Sequence, residues 1–403
     1  MSINAATPFG RTLLSEWLLD PAYAYLNHGT VGAPPRRVID AQRSIVDEIE
    51  AQPARFLLRE LADITGEATV PSRIRVAAAS VAEFVGVDAA DLAFVDNITA
   101  GANSVLRSFP FAAGDEVLVT DLGYGGITNA VEYAARRSGA TVRTLMMPHG
   151  SAGPAAFVDA VAEGLGERTR ILVVDHITAE TALILPIAEI ARVAHDRGVL
   201  VFADGAHVPG SIPLEIASLG VDWYSGNLHK WALTPRSAGI LWASPEQQAT
   251  LHPAVISWGL DNGMSAEFDL TGTRDPSPWL AAPAALAMLH DFGFERVCAY
   301  NHDLVWRAAG HLAERWGTEF AIPESMVPTM VAIPATPPDR YTSADAQQLK
   351  DRLLFDEQIE VAAYEQGGAI VVRVSAQIYN DMDDIDRLAE AVLRHRPGSC
   401  RSS

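Results

Sequence analysis

The sequence predicts an α/β chain: a mostly parallel sheet covered on both faces in a large domain, followed by a smaller α+β domain. Three observations predict it. Between about residues 70 and 245, helical stretches alternate with short β-branched apolar runs ending in turn residues, the rhythm of βαβ units. Those runs are continuously apolar, as strands buried on both faces must be. Past residue 280 the pattern changes to two long helical stretches and then to alternating segments. A length of 403 residues suits one large domain with a smaller one attached.

The opening MSINAATPFGRTLLSEWLLD carries Leu13, Leu14, Trp17 and Leu18 at helical spacing. It reads as a surface helix, and without a basic n-region or a continuous apolar stretch it does not read as a targeting signal. PSRIRVAAASVAEFVG is a helix with Pro71 in its first turn and Gly86 at its stop. DLAFVDN follows as a strand and ITAGANSVLRSF as a helix, with Thr99 as a natural N-cap. DEVLVTD, TVRTLMM, RILVVDH, GVLVFADG and AGILWAS are the next buried strands, and VDWYSGNLHKWALTPRSAG opens as a strand and turns into a loop. Helices are expected around 281–291 and 294–316, with alternating segments near MVAIPA and AIVVRVSA and a proline-rich loop at 334–340. PGSCRSS is expected to fray, and no internal repeat is visible.

Composition excludes several classes of function. Hydrophobic residues make up 49% and charged ones 20%, with mean hydropathy +0.10 and no run of about 18 apolar residues, which removes disorder and membrane insertion. A net charge of -20 without a segregated basic patch opposes nucleic acid and anionic lipid as partners. Cys298 and Cys400 lie far apart in sequence and make no disulfide framework, so a reducing cytoplasm fits best.

Lysine is nearly absent: of 30 basic residues only Lys230 and Lys350 are lysines. Lys350 sits on a helical pattern that Thr342 and Asp345 open as a capping box, so it is a helix-surface charge. Lys230 has no helical period around it and follows a strand into a turn. That placement matters, because ligands of open parallel sheets collect beyond the carboxyl ends of the strands. Five such ends are polar: Asn97–Gly101, Asp121–Gly126, Asp175–Thr178, Asp204–His207 and Ser225–Lys230.

The first of these opens a helix, whose free N–H groups at Thr99 and Ala100 suit a phosphate. No Walker A or G-x-G-x-x-G spacing is present, which weighs against a nucleotide. Asp204 ends the most apolar strand and needs a cationic partner, and Lys230 follows one helix and one strand later, at a neighbouring strand end. A desolvated lysine there is nucleophilic enough for a Schiff base. A carboxylate to hold a pyridine nitrogen protonated and an amine to hold an aldehyde are what pyridoxal phosphate chemistry requires. Tyr124 supplies a ring to stack on it, and Arg373 a fork for a substrate carboxylate. A metal site on Asp204, His207 and His229 lacks any supporting spacing, so no metal is expected.

At this point the residues resemble a known family, the fold-type I pyridoxal phosphate enzymes of the class V aminotransferase group, and within it the isopenicillin N epimerase-like branch. AYLNHGTVGAPP, DNITAGAN, DLGYGG, DHITAETALILPI, FADGAHVPGSIPL, YSGNLHKW, LTGTRDPSPW and VRVSAQIYN fall in family order and span about residues 25 to 380. The resemblance implies an aspartate aminotransferase-type fold with a seven-stranded, mostly parallel sheet. It divides the chain into a segment 1–24 packing on the small domain, a large cofactor-binding domain 25–275 and a small domain 276–403. It implies that Lys230 is the Schiff-base lysine, Asp204 the pyridine-nitrogen partner and Tyr124 the stacking residue. By the same resemblance Thr99 and Ala100 would bind phosphate with help from Ser225 and His229, and Thr273 would be lent to the partner subunit's phosphate in a homodimer. His207 and Thr178 touch the cofactor ring, Arg373 clamps the substrate carboxylate, and Asn27 and His28 face the substrate. Arg55 and Arg59 are candidates for a second acidic substrate group or for surface ion pairs.

The family's reactions pass through an external aldimine and a quinonoid whose fates differ. Cysteine desulfuration needs a nucleophilic cysteine on a mobile loop, and Cys298 looks helical while Cys400 is in the tail. Epimerisation needs a proton donor opposite Lys230, where Tyr124 partly stands and His28 is the candidate. Carbon–sulfur β-elimination of a cysteine S-conjugate needs one base and a good leaving group, and is the expected reaction, in thiol or natural-product metabolism such as lincosamide-type pathways. Epimerisation, transamination and decarboxylation-dependent oxidative deamination are the alternatives, and a non-catalytic module for the cofactor is the distant one.

Overall fold

A computed structural model of the chain describes residues 4, 6–63 and 71–397; Cys400 and the end of the PGSCRSS tail lie outside the described residues. Twelve strands are present among them: β1 (Ala24–Tyr25), β2 (Leu92–Val95), β3 (Glu116–Thr120), β4 (Thr141–Leu145), β5 (Thr169–Asp175), β6 (Leu200–Gly205), β7 (Trp223–Asn227), β8 (Gly239–Ala243), β9 (Met330–Pro334), β10 (Ile359–Glu360), β11 (Ala362–Gln366) and β12 (Ala369–Ser375). Seven form one sheet in the order β2-β8-β7-β6-β5-β3-β4. Only β8 runs against its neighbours, so the sheet is mostly parallel, as expected.

Burial on both faces explains the continuous apolar runs. Leu172 and Val174 of β5 belong to the core on one face, and Ile171 and Val173 to the core on the other. TVRTLMM departs from the expected buried strand: β4 is an edge strand with Thr141 and Thr144 exposed, since only β3 pairs with it. A second sheet, β11-β12-β9, is antiparallel and packs against the long helix Phe294–Trp316 over a core of its own. Helices Ala282–Phe292 and Phe294–Trp316 stand where the periodicity puts them, and Cys298 lies within the second.

Three local readings change. The opening segment forms only a six-residue 3-10 helix, Arg11–Glu16, because Trp17 is extended; Leu13, Leu14 and Trp17 are buried while Leu18 is exposed. Trp17 Nε1 donates to the Ala33 carbonyl, and Gly10 N–H to that of Ile378. Pro71 precedes the helix Arg73–Val85, whose N-cap is Ser72, and Gly86 ends it in the left-handed conformation. Asn97, not Thr99, caps the helix Ile98–Ser108: it is extended, its Oδ1 accepts the Ala100 N–H at 3.0 Å, and Thr99 already lies in the first turn. Among the described residues, no helix is long and apolar enough to cross a membrane.

Candidate active site

Strand direction places the site. β2, β3, β5, β6 and β7 run the same way, so the segments leaving their carboxyl ends meet along one edge of the sheet. A cavity of about 350 Å³ lies there, lined by Thr99, Tyr124, Asp204, His207, Lys230 and Arg373 among others.

Asp204 and Asp175 stand opposite one another on β6 and β5, both buried. Asp204 Oδ1 accepts the Ala206 N–H at 2.8 Å, whereas Oδ2 is buried without a hydrogen-bond partner. Burial pushes the Asp204 carboxyl up to about 6 against the pull of that N–H and of Lys230. Burial and then the Asp204 charge raise Asp175 well above the carboxylate range, against a hydrogen bond from the Tyr124 N–H. Lys230 follows β7. Desolvation and then the Arg373 charge bring its amine down to about 7, while Asp204 and Asp175 oppose the fall. Its Nζ lies 3.1 Å from His207 Nε2, and the other ring nitrogen of His207 is buried without a partner. Burial, and then the Lys230 charge, keep that imidazole neutral.

One wall is the start of the helix Ile98–Ser108. The Ile98 N–H is taken by Asn227 Oδ1 at 2.9 Å and that of Ala100 by its cap, so Thr99 is the first-turn residue that presents both a hydroxyl and an N–H without an intrahelical acceptor. His229 also lines the cavity and spends Nδ1 on the Ala238 carbonyl. Ser225 lies behind, donating to Ile240 O and packed against Gly101, where a Cβ would stand 2.2 Å from Ser225 Oγ. Tyr124 caps the helix Gly125–Ser138 and is 48% exposed at the cavity. Gly126 leaves room for its ring, since a Cβ there would come within 2.7 Å of it.

The opposite wall comes from the small sheet. Arg373 on β12 is buried; its guanidinium donates to the Ala179 carbonyl, to Thr30 Oγ1 at 2.6 Å and to Asn27 Oδ1 at 3.4 Å, and its Nε has no partner. Asn27 therefore supports Arg373 and is held in turn by Glu360 at 2.7 Å. His28 is also behind the wall: Nδ1 meets the Tyr379 hydroxyl at 2.8 Å and Nε2 the Lys230 carbonyl at 3.0 Å. Thr178 is buried in the turn after β5, where it accepts the Leu183 N–H at 2.8 Å.

Three expected residues stand apart from the cavity. Arg55 is exposed and pairs with Glu60 at 2.5 Å, and Arg59 is exposed with a bond to the Leu58 carbonyl, which is the surface ion-pair alternative for Arg55. Thr273 is exposed in a bend, and its neighbour Arg274 stacks on Trp279 at 4.0 Å and pairs with Asp96. The cavity also contains Thr30 and Tyr364, which sequence reasoning passed over, and Asp175, which it placed at a polar strand end without giving it a role. Asp175 carried a signal, since an acid ends the apolar run RILVVD much as one ends VLVFAD.

A buried amine brought near neutrality, two buried carboxylates, a helix start and a buried arginine thus share one cavity at the carboxyl ends of the parallel strands. The chain belongs to the class V aminotransferase family, whose profile matches residues 24–388. It is 33% identical to isopenicillin N epimerase of Streptomyces clavuligerus over 393 residues, 93% of this chain and 95% of that one. It is 30% identical to putative L-cysteine desulfhydrase 1 of Oryza sativa subsp. japonica, over 92% of this chain and 82% of that one. The fold is shared with the cysteine desulfurase CsdA of Escherichia coli, with TM-score 0.76, 21% identity, and 96% and 99% of the two chains covered.

Family membership makes the protein a pyridoxal phosphate-dependent enzyme. The residues present fit that group. Asp204 Oδ2, a buried acceptor without a partner, would take a ring N–H, the Lys230 amine would add to the aldehyde, and the helix start at Thr99 would hold the phosphate.

Proposed function

We propose that the protein catalyses carbon–sulfur β-elimination on a cysteine S-conjugate of thiol or natural-product metabolism. The observation that supports this reading is that the Lys230 amine, brought down to about 7, stands in the cavity as a candidate base, while His28, the candidate acid for the opposite face, has both ring nitrogens engaged behind the wall. Pyridoxal phosphate, when bound, supplies the sink for the electrons released at the α-carbon. Arg373 fixes the α-carboxylate, and the Lys230 amine takes the α-proton. The C–S bond breaks with its electron pair on sulfur, and the remaining 2-aminoacrylate hydrolyses to pyruvate and ammonia. The cysteine desulfhydrase among the relatives supports this reading.

The epimerase among the relatives favours a second reading, with the half-exposed Tyr124 as donor on the far face. Turnover of cysteine S-conjugates in deuterated water separates the two. Pyruvate and ammonia are expected; α-deuterium with inversion and no pyruvate would establish epimerisation instead.

The same proposal includes a homodimer in a reducing, cytoplasmic setting. Trp258, 85% exposed, stands with exposed Val255, Ile256 and Leu260 on the segment preceding Thr273, an apolar surface suited to a second copy. Sedimentation is expected to give a dimer that Trp258→Asp weakens; a monomer with full turnover refutes it.

A further inference from the structure

Beside the Lys230 cavity lies a second one of about 280 Å³ that the reaction above does not use. Strand register shows how the two adjoin. Arg373 pairs with Ala332 and Ala362, and Val371 with Pro334 and Tyr364. Residues opposite in an antiparallel pair, and residues two apart along a strand, share a face. One face of the small sheet therefore turns Arg373 and Tyr364 to the first cavity and Val371, Ala332, Pro334 and Gln366 to the second. The facing loops divide the same way. After β5, Ala179 and Glu180 line the first cavity and Thr181 and Leu183 the second; after β3, Tyr124 lines the first and Asp121 and Leu122 the second. The Arg373 guanidinium, bonded to the Ala179 carbonyl, stands at the partition.

The two compartments differ in chemistry. Met147, Leu183, Ile322 and Val371 give the second an apolar wall, and its acidic side chains, Asp121 and Glu319, are both exposed. His149 is there too, with Nδ1 against Ser151 Oγ at 2.9 Å, and among the described lining residues there is no lysine or arginine. Val371 is two strand residues from Arg373, about 7 Å, close to the extended length of a six-carbon amino acid from its carboxylate to its chain end.

We infer that this second cavity receives the distal part of the amino-acid substrate, and that it takes a neutral or cationic substituent several carbons long and rejects a second carboxylate. The inference rests on the proposed placing of the α-carboxylate at Arg373. It makes the enzyme one for extended conjugates, not for free cysteine. Each methylene buried there strengthens binding about fourfold, whereas a second carboxylate meets an apolar wall, the exposed Asp121 and Glu319 charges and no lysine or arginine to pair with.

Calorimetric titration of the holoenzyme with alanine, norleucine, lysine and 2-aminoadipate tests this. None of them carries a β-leaving group, so binding is read apart from C–S cleavage. Norleucine and lysine are expected to bind at least tenfold tighter than alanine, and 2-aminoadipate at least tenfold more weakly than norleucine. Val371→Trp should shrink the norleucine-to-alanine ratio below threefold. Glu319→Gln, on the rim, should bring 2-aminoadipate severalfold closer to norleucine, and it serves where the tryptophan variant does not fold. Equal binding of alanine and norleucine, or preference for 2-aminoadipate over norleucine, overturns the inference. Absence of pyruvate from every conjugate would sink the elimination reading and leave these ratios standing; pyruvate with equal ratios would sink only the inference.

Discussion

On the large-sheet side of the cavity, Asp175, Asp204, His207 and Lys230 are buried groups whose protonation is set by one another and by desolvation; Asp204 Oδ2 and His207 Nδ1 are buried without a hydrogen-bond partner, and the Lys230 amine meets only His207 Nε2. On the small-sheet side, Arg373 is equally buried but held by a carbonyl, a hydroxyl and an amide oxygen, and although burial lowers its pKa, a guanidinium stays charged. On the proposed reading, the first side moves a proton and the second keeps a charge still. A catalyst that removes an α-proton from an amino acid needs both: a base able to change state, and an anchor that does not.

The comparison breaks most visibly at Lys230. Lys230→Ala is expected to lower turnover about 10³-fold or more and to abolish the visible absorption of lysine-linked cofactor, since it removes base and attachment together. A variant that keeps the band would end the assignment of the movable proton to this residue. On the fixed side, Arg373→Lys keeps the charge and loses the fork; kcat/KM should fall about 10- to 100-fold, mostly through KM, with the absorption band in place. A loss confined to kcat would mean that Arg373 is not the anchor.

The two sides were also unequally legible. The strand ends of the large sheet could be read because an apolar run followed by a polar turn marks both the fold and the edge where ligands gather; hence Asp204, Lys230, Thr99 and Tyr124 were found and line one cavity. What stands behind that edge was not legible. His28, Asn27 and Thr178 carry the polar side chains expected at a site, yet each is turned to a backbone or to Arg373, a choice fixed by tertiary packing. Thr30 and Tyr364 join the cavity through pairings between distant segments, which no local pattern encodes. The 3-10 turn at Arg11–Glu16 shows the converse, where helical spacing was present and burial used it in a shorter element.

pH sharpens the contrast. The Lys230 amine, brought down to about 7 mainly by burial, is an ammonium below that pH and a free amine above it. Only the free amine adds to an aldehyde, so capture of pyridoxal phosphate by the apoprotein should speed up about tenfold per unit below pH 7 and level off above it. The Arg373 side adds no such step. Stopped-flow absorbance checks this; a rate still climbing beyond pH 9 would place the amine in an ordinary, solvated setting.

The smallest expected effect tests how the two sides are joined. Thr178 accepts the Leu183 N–H at 2.8 Å and pairs with Thr181 Oγ1 at 2.6 Å, and the turn so held presents the Ala179 carbonyl that receives Arg373. Thr178→Val keeps the shape and removes the acceptor, which leaves a buried N–H without its side-chain partner and costs about 1–2 kcal/mol of stability. If Thr178 acts only through the turn, KM should rise two- to fivefold while kcat and the cofactor's absorption maximum stay where they are. If its hydroxyl touches the cofactor ring, as the family resemblance implies, the absorption maximum and kcat move instead. Thermal unfolding together with the visible spectrum decides between them, because a turn that merely holds the anchor belongs wholly to the side of the cavity where charge stays still.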